Sequence, residues 1–418
     1  MASPYLEVFR SPRIAAVMLL GFASGLPLAL TGSTLQAWLT VSRIDIVTIA
    51  WFSWIGLPYA LKFLWAPIMD RYMPPMLGRR QGWIVFTQLA LVAGLLAMGV
   101  LSPVDELWLL GCAALWVAFF SASQDIVIDA YRTDVLRKEE RGLGAALSVF
   151  GYRMAMLASG ALALICAEEF GWRTTYFLMA ALLVLSGTVS AFRAPQPEAP
   201  VSMPVSLAAA VVQPLRDLLA RRGALAMLLL VMLYKFGDAL AGTLTTAFLI
   251  RGVGFSLSDV GTVNKVLGLG ALLLGGVAGG VLLARMRLVS ALLWFGVLQA
   301  VSNLSFAWLA WAGKSYPLLI FTVGFENLAS GMGTAAFVAF AMALCNHSYS
   351  ATQYALLSAL ASLGRILFGP AAGALVQILD WDGFFVLTFA AALPGLLLVR
   401  LMRGEIDAVE AAGRRAPG

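Results

Sequence analysis

Apolar stretches of about twenty residues recur along the whole chain, separated by short connections that hold most of the charge. A helix of that length crosses the roughly 30 Å hydrocarbon core of a bilayer. Away from water every backbone N–H and C=O must be satisfied internally, so the pattern leaves a multi-pass helical bundle as the fold. Twelve spans are expected, at about 14–38, 46–66, 82–101, 107–131, 142–166, 172–192, 223–250, 258–283, 288–311, 316–344, 351–378 and 383–401. Composition agrees: 61% of the 418 residues are hydrophobic and 12% charged, against about 25% charged in a soluble domain.

The net charge of +6 does not mark a nucleic-acid surface, because the basic residues are spread over short connections. Cys112, Cys166 and Cys345 lie far apart in apolar runs and read as packing residues. His347 is the single histidine, which argues against a histidine-based metal site or catalytic triad. The first apolar run follows MASPYLEVFRSPR without a small-residue cleavage site, so a retained helix is expected rather than a signal peptide.

Lys and Arg accumulate on the cytoplasmic side of membrane proteins. With the N-terminus inside, nineteen of the 28 Lys and Arg fall in inside connections; Arg43, Arg173, Arg251 and Lys314 fall outside, and Lys62, Arg153, Lys235, Lys265 and Arg365 within spans. Both termini are therefore expected in the cytoplasm. The Pro-rich connection 193–222 reads as a cytoplasmic linker with an amphipathic patch around 214–222. It divides the chain into six-helix halves, 1–192 and 223–418, the second ending in a short cytoplasmic tail.

The halves resemble each other at an offset of about 211 residues: TLQAWL (34–39) aligns with LTTAFL (244–249), and LSVFGYR (147–153) with SALASLGR (358–365), so that Arg153 meets Arg365. Paired repeats of this kind are the layout of many secondary transporters. Charges within spans fall on the first two helices of each triad (Lys62, Asp125, Asp129, Arg153, Lys235, Asp238, Lys265, Glu326 and Arg365) and not on the third. An uncompensated charge in lipid costs at least about 2.5–3.5 kcal/mol, so these residues should face a central aqueous cavity.

GFASGLPLALTGSTLQAWL (21–39), GLPYALKFLWAPIMDRYMPP (56–75), LGRRQGW (77–83), SASQDIVIDAYR (121–132) and FGWRTTYFLMA (170–180) carry a family likeness. The chain resembles the muropeptide permeases of the AmpG type, in the major facilitator superfamily. The resemblance implies a carrier, not an enzyme, that imports anhydromuropeptides (sugar–peptide fragments of the cell wall) across the bacterial inner membrane with protons. It implies a role in wall recycling, which in some bacteria controls β-lactamase induction and so β-lactam resistance. It implies no cofactor. The superfamily signature between helices 2 and 3, a cytoplasmic gate, is matched by Asp70, Arg71, Gly78, Arg79 and Arg80; Ala66 replaces its first Gly, and a Pro-containing insert splits it. Its counterpart at 275–287 keeps the basic end and loses the acid. Acetyl-coenzyme A transporters share related features, so a carrier of another organic anion is the alternative.

Asp125 and Asp129 lie four apart on one helical face. A carboxylate held away from water exchanges its proton according to its surroundings, which makes Asp125 a proton-coupling candidate, with Arg153 as its expected partner; the alternative is a permanent Asp125–Arg153 ion pair. Asp129 is either a second proton site or a helix-end partner of Arg132. Glu326 and Asp238 are rival proton sites, and Lys235 with Asp238 alternatively forms a structural pair. Five cations within spans, Lys62, Arg153, Lys235, Lys265 and Arg365, against four acids give the expected cavity a slight positive excess that suits an anionic substrate. Aromatic faces grip sugar rings, and Trp38, Trp51, Trp54, Tyr59, Trp65 and Tyr152 are available. Gln36 and Gln124 can hydrogen-bond a substrate amide or hydroxyl, or join helices. Gly21/Gly25 and Gly276/Gly280 have the spacing for close helix approach. No nucleotide-binding motif is present, so the expectation is an all-α, twelve-span carrier in the lipid bilayer. It acts as a monomer on a sugar–peptide substrate and protons, driven by an ion or substrate gradient.

Overall fold

The computed structural model describes residues 11–66, 69, 79–137, 140–193, 213, 215–220, 223–346 and 350–415, and among these all regular structure is helical. Their contacts form two compact units, one of residues 1–44 and 55–204, the other of 45–54 and 205–418.

Helix α1 (Pro12–Val41) opens with Pro12 in its first turn, where the missing N–H has no intrahelical partner to lose. Pro27 interrupts the hydrogen-bond ladder, the Thr31 hydroxyl donates back to the Pro27 carbonyl at 3.1 Å, and the helix breaks at Gly32 before resuming. Helix α2 (Ile46–Leu64) is capped by Asp45, whose carboxylate accepts the Thr48 N–H at 2.9 Å. It slips into 3₁₀ turns at Phe52–Gly56 and Lys62–Leu64. Helices α3 (Arg79–Val100) and α4 (Leu107–Val135) follow. From Arg141 helical structure runs to Arg193, divided by Gly171 (φ 80°) into α5 (141–170) and α6 (172–193). That backbone conformation is open to glycine at little steric cost.

The second unit holds α7 (Ala224–Gly252), α8 (Leu257–Leu283), α9 (Leu288–Ala312) and α10 (Tyr316–Ala343). Asp380 (φ 56°) divides 350–401 into α11 (350–379) and α12 (381–401), and α13 (Arg403–Arg415) ends the described chain. Among the described residues nine stretches are long and apolar enough to cross a membrane, with 142–187 and 353–401 each taken as one.

Glycines set how closely two helix pairs approach. A Cβ on Gly21 or Gly25 of α1 would strike the backbone of Ser148 or Tyr152 on α5, and one on Gly151 the backbone of Met18. On α8 it is Gly275 and Gly279 that lie against Leu328 and Met332 of α10, while Gly276 and Gly280 face open space. The expected spacing is present, one residue earlier. GGVAGG satisfies it in both registers, and the rotation of α8 against α10 decides between them.

Around these contacts the first unit packs Ile14, Val17 and Leu20 of α1 against Val127, Ile128 and Tyr131 of α4. The second packs Leu230 and Tyr234 of α7, Phe295 of α9, Phe340 of α10 and Ile406 of α13. Most of the expected linker lies outside the described residues. Its short helix at 215–219 buries Leu218 in that second core, and Asp217 accepts from Gln353 at 2.7 Å and Asn346 at 3.2 Å.

Candidate functional site

Each unit gathers charge within its membrane-length helices. In the first, Asp125 lies on α4 ten residues before its end, roughly 15 Å from that terminus. The Ser24 hydroxyl of α1 donates to Oδ1 at 2.5 Å, and the Lys62 ammonium of α2 lies 3.6 Å from Oδ2. Arg153 is therefore not the partner of Asp125. The reason is the α1–α5 seam: Gly151 and the Ser148 and Tyr152 backbones are turned to α1, which aims Arg153 elsewhere, and its Nη1 meets the Met156 sulfur at 4.0 Å. Ser24 was not foreseen, because an uncharged serine in an apolar run carries no signal of its own. Lys62 was visible as a charge within a span but not as the partner of Asp125.

Beside this pair the Tyr59 hydroxyl, the Ser121 hydroxyl and both amide atoms of Gln124 are buried and have no hydrogen-bond partner among the described residues. A burial of that kind leaves hydrogen-bonding capacity open. Asp129, one turn further along α4, is within electrostatic reach of Asp125; its carboxylate is 58% exposed and 3.0 Å from Arg132. Tyr152 packs on Gly25. Gln36 is half-buried, its carbonyl accepting from Thr40 at 2.6 Å. Trp38 is 5% exposed, stacked on Trp172 at 5.4 Å and beside Tyr176 at 5.2 Å. It is a packing residue of the unit interior here. Trp65 donates to Ser123 at 3.0 Å. Trp51 and Trp54, in the second unit, meet edge-on at 4.8 Å and remain partly exposed.

In the second unit Glu326, Ser330 and Thr334 recur every four residues along one face of α10. Helix α7 reaches that face: Lys235 donates to the Thr334 hydroxyl at 2.7 Å, the Ser330 hydroxyl donates to Asp238 at 3.3 Å, and Lys235 lies 4.0 Å from Asp238. Glu326 neighbours Asp238 and is within electrostatic reach of Lys235 and Lys265. The Asn327 amide donates to Glu326 at 2.7 Å. Two of the four proton-site candidates, Glu326 and Asp238, are thus assembled into one cluster, while Asp125 and Asp129 lie in the first unit. Arg365 lies in α11, its side chain outside the described residues.

The three lysines within spans sit where α-helical geometry lapses. Lys62 begins a 3₁₀ turn, Lys235 fills the gap between Leu233 and Phe236, and Lys265 lies in a π turn over Val260–Leu267. Interrupted helices free backbone groups at membrane depth, and transporters build ion and substrate sites there. Near Lys62 the sequence carries Gly56 and Pro58, and Pro58 follows the first of the two 3₁₀ turns of α2.

Of the signature between α2 and α3, Asp70, Arg71 and Gly78 lie outside the described residues, as does the Arg79 side chain. Arg80, in the first turn of α3, donates from Nε to Asp134 near the end of α4 at 2.9 Å.

The Major Facilitator Superfamily model matches residues 14–325. The chain belongs to the major facilitator superfamily. Within it, this member is 52% identical over 408 residues to the anhydromuropeptide permease of Escherichia coli K12, covering 97% of this chain and 83% of that relative. It is thereby one of the AmpG-type permease family, and its own described residues hold several helices of membrane-spanning length. Among solved structures, a bacterial homolog of the human lysosomal transporter Spinster, inward-facing and unoccupied, superimposes with TM-score 0.73 at 16% identity over 100% of both chains. A POT family transporter in complex with a thioalcohol-conjugated peptide gives TM-score 0.73 at 11% identity over 94% of this chain and 96% of that one. At such identities they establish the major facilitator fold.

Proposed function

We propose that this protein imports anhydromuropeptides across the bacterial inner membrane by proton symport and alternating access, feeding cell-wall recycling. The observation that carries the substrate is the 52% identity, over 97% of the chain, to a permease of that name. The reading takes it as a carrier without enzymatic activity, acting as a monomer. Twelve spans are inferred: the nine apolar stretches, the divisions at Gly171 and Asp380, and α10 together give that number. An even count agrees with both termini in the cytoplasm, as the Lys and Arg distribution requires. Two six-helix halves, 1–192 and 223–418, joined by the linker 193–222, are the corresponding organisation. The signature residues Asp70, Arg71, Gly78, Arg79 and Arg80 form its cytoplasmic gate.

Asp125 is assigned as the proton carrier. It is a carboxylate at membrane depth with a hydroxyl donor and an ammonium on its two oxygens, so it holds a stable anion when Lys62 is close and takes up a proton when Lys62 withdraws. Glu326 and Asp238 supply a second exchangeable group, balanced by Lys235 and Lys265. Gln36, Gln124, Tyr152, Arg153, Lys235, Lys265 and Arg365 are the substrate-facing set. Thermal stabilisation of the purified protein tests the substrate assignment. Anhydromuropeptide is expected to raise the melting temperature and acyl-coenzyme A to leave it unchanged; the reverse would transfer the assignment to another organic anion.

A further inference from the structure

We propose that Thr334 is a positioning residue for proton coupling: its hydroxyl holds the Lys235 ammonium off Asp238 and so leaves the Glu326–Asp238 carboxyl pair open to a proton. This rests on the reading of the protein as a proton symporter in which that pair is the second exchangeable group.

The Thr334 hydroxyl donates to the Ser330 carbonyl, one turn back on α10, at 2.6 Å. A hydroxyl has one proton, so with that proton engaged the oxygen meets its other neighbours only as an acceptor. Lys235 of α7 uses it, donating at 2.7 Å, while the Asp238 carboxylate lies 4.0 Å from the same ammonium, beyond hydrogen-bond distance. A carboxylate is the stronger acceptor for an ammonium. The weaker acceptor therefore holds the lysine by its placement. The break in α7 contributes, because Lys235 sits outside the regular turns that carry Asp238. The first unit is built differently: there the hydroxyl, Ser24, donates to the acid itself, and Lys62 lies 3.6 Å from that acid.

Asp238 and Glu326 are neighbours, and two adjoining carboxyls need either a cation or a shared proton. The charged groups around them are Lys235 on α7 and Lys265 on α8, the latter within electrostatic reach of Glu326. Helix α9 carries no charged residue, α12 carries Asp382 and Arg400 at its ends only, and the Arg365 side chain of α11 lies outside the described residues. Ser330 donates to Asp238 at 3.3 Å and Asn327 to Glu326 at 2.7 Å. While Thr334 holds Lys235, the pair has room for a proton. When Lys235 moves onto Asp238 it takes the place of that proton, which leaves to the cytoplasm. Without the hydroxyl, Lys235 stays on Asp238 and the pair no longer loads.

The test uses proteoliposomes containing the full-length protein and a trapped pH-sensitive dye. Proton entry and uptake of labelled GlcNAc-anhydro-MurNAc are measured together, and the readout is protons per substrate. Thr334→Val keeps the shape of the side chain and loses the acceptor. It is expected to lower the ratio about twofold, since one of two exchangeable groups is closed while Asp125 still carries its own proton. Thr334→Ser, which keeps the hydroxyl, is expected to hold the wild-type ratio. Thr334→Ala also lacks the acceptor and is read in the same way should the valine variant not fold. Slower uptake at an unchanged ratio in the valine or alanine variant, as a purely structural role would give, overturns the assignment, and so does a ratio in Thr334→Ser as low as theirs. A wild type that takes up the disaccharide without protons, or not at all, sinks the symport reading itself and the assignment with it.

Discussion

Lys62 approaches the Asp125 carboxylate to 3.6 Å while Ser24 donates to its other oxygen at 2.5 Å, so first-unit residues from three helices converge on a single acid. Neutralising that acid removes what the other two groups are arranged around. Asp125→Asn is expected to abolish the gradient-driven part of uptake and leave downhill exchange measurable. Asp129→Asn is expected to retain gradient-driven uptake, since its carboxylate is 58% exposed beside Arg132, where such a pair contributes about 0–1 kcal/mol. Proteoliposome uptake with and without an imposed proton gradient separates the two. Equal losses in both variants would count against the assignment of Asp125.

The α1–α5 seam has no room for a side chain at Gly21 or Gly151, because backbone occupies the space. Gly21→Ala should destabilise the protein by about 1–3 kcal/mol. Gly276→Ala, where nothing lies within 4 Å, should be neutral or gain up to about 1 kcal/mol from helix propensity. Thermal unfolding in detergent reads both.

Trp38 fills the interior beside Trp172 and Tyr176. Trp38→Ala is expected to cost about 3–5 kcal/mol of stability. Whatever folded fraction remains should bind muropeptide with unaltered affinity. A stable variant with weakened binding would make Trp38 a ligand residue after all.

Glu140 connects α5 to the start of α1. Burial works to raise its carboxyl, but the Ser11 hydroxyl at 2.6 Å, the Arg137 N–H at 3.1 Å and the Arg13 guanidinium at 3.9 Å outweigh it, and the group titrates below its ordinary value near 4.5. These partners hold the anion. Their contribution is therefore complete above about pH 4.5 and is lost as the pH falls through the folded-state value. The melting temperature of the wild type should drop more between pH 6 and pH 4 than that of Glu140→Gln. Parallel pH profiles would show that this contact carries no stability.

The helices were legible because a bilayer enforces length and polarity together. The start of α4 at Leu107 and the whole of α9 fall where the apolar runs place them. The turns at Gly171 and Asp380 fall between expected spans, in the gaps 167–171 and 379–382. Partnerships were less legible. Composition singles out Asp125, but whether Lys62 or Arg153 faces it depends on helix rotation, which the glycine seam between α1 and α5 fixes in three dimensions. The same holds for Gly275 over Gly276. Trp38 is available to a sugar by sequence alone, and the stacking partner that makes it a packing residue, Trp172, lies more than a hundred residues away.

The central claim is proton-coupled muropeptide import. Its most direct test is uptake of labelled GlcNAc-anhydro-MurNAc by proteoliposomes containing this protein, with and without an inward proton gradient. Saturable uptake that rises with the gradient is the expected result. Saturable uptake indifferent to the gradient would contradict the coupling, and absence of uptake by folded protein would contradict the substrate.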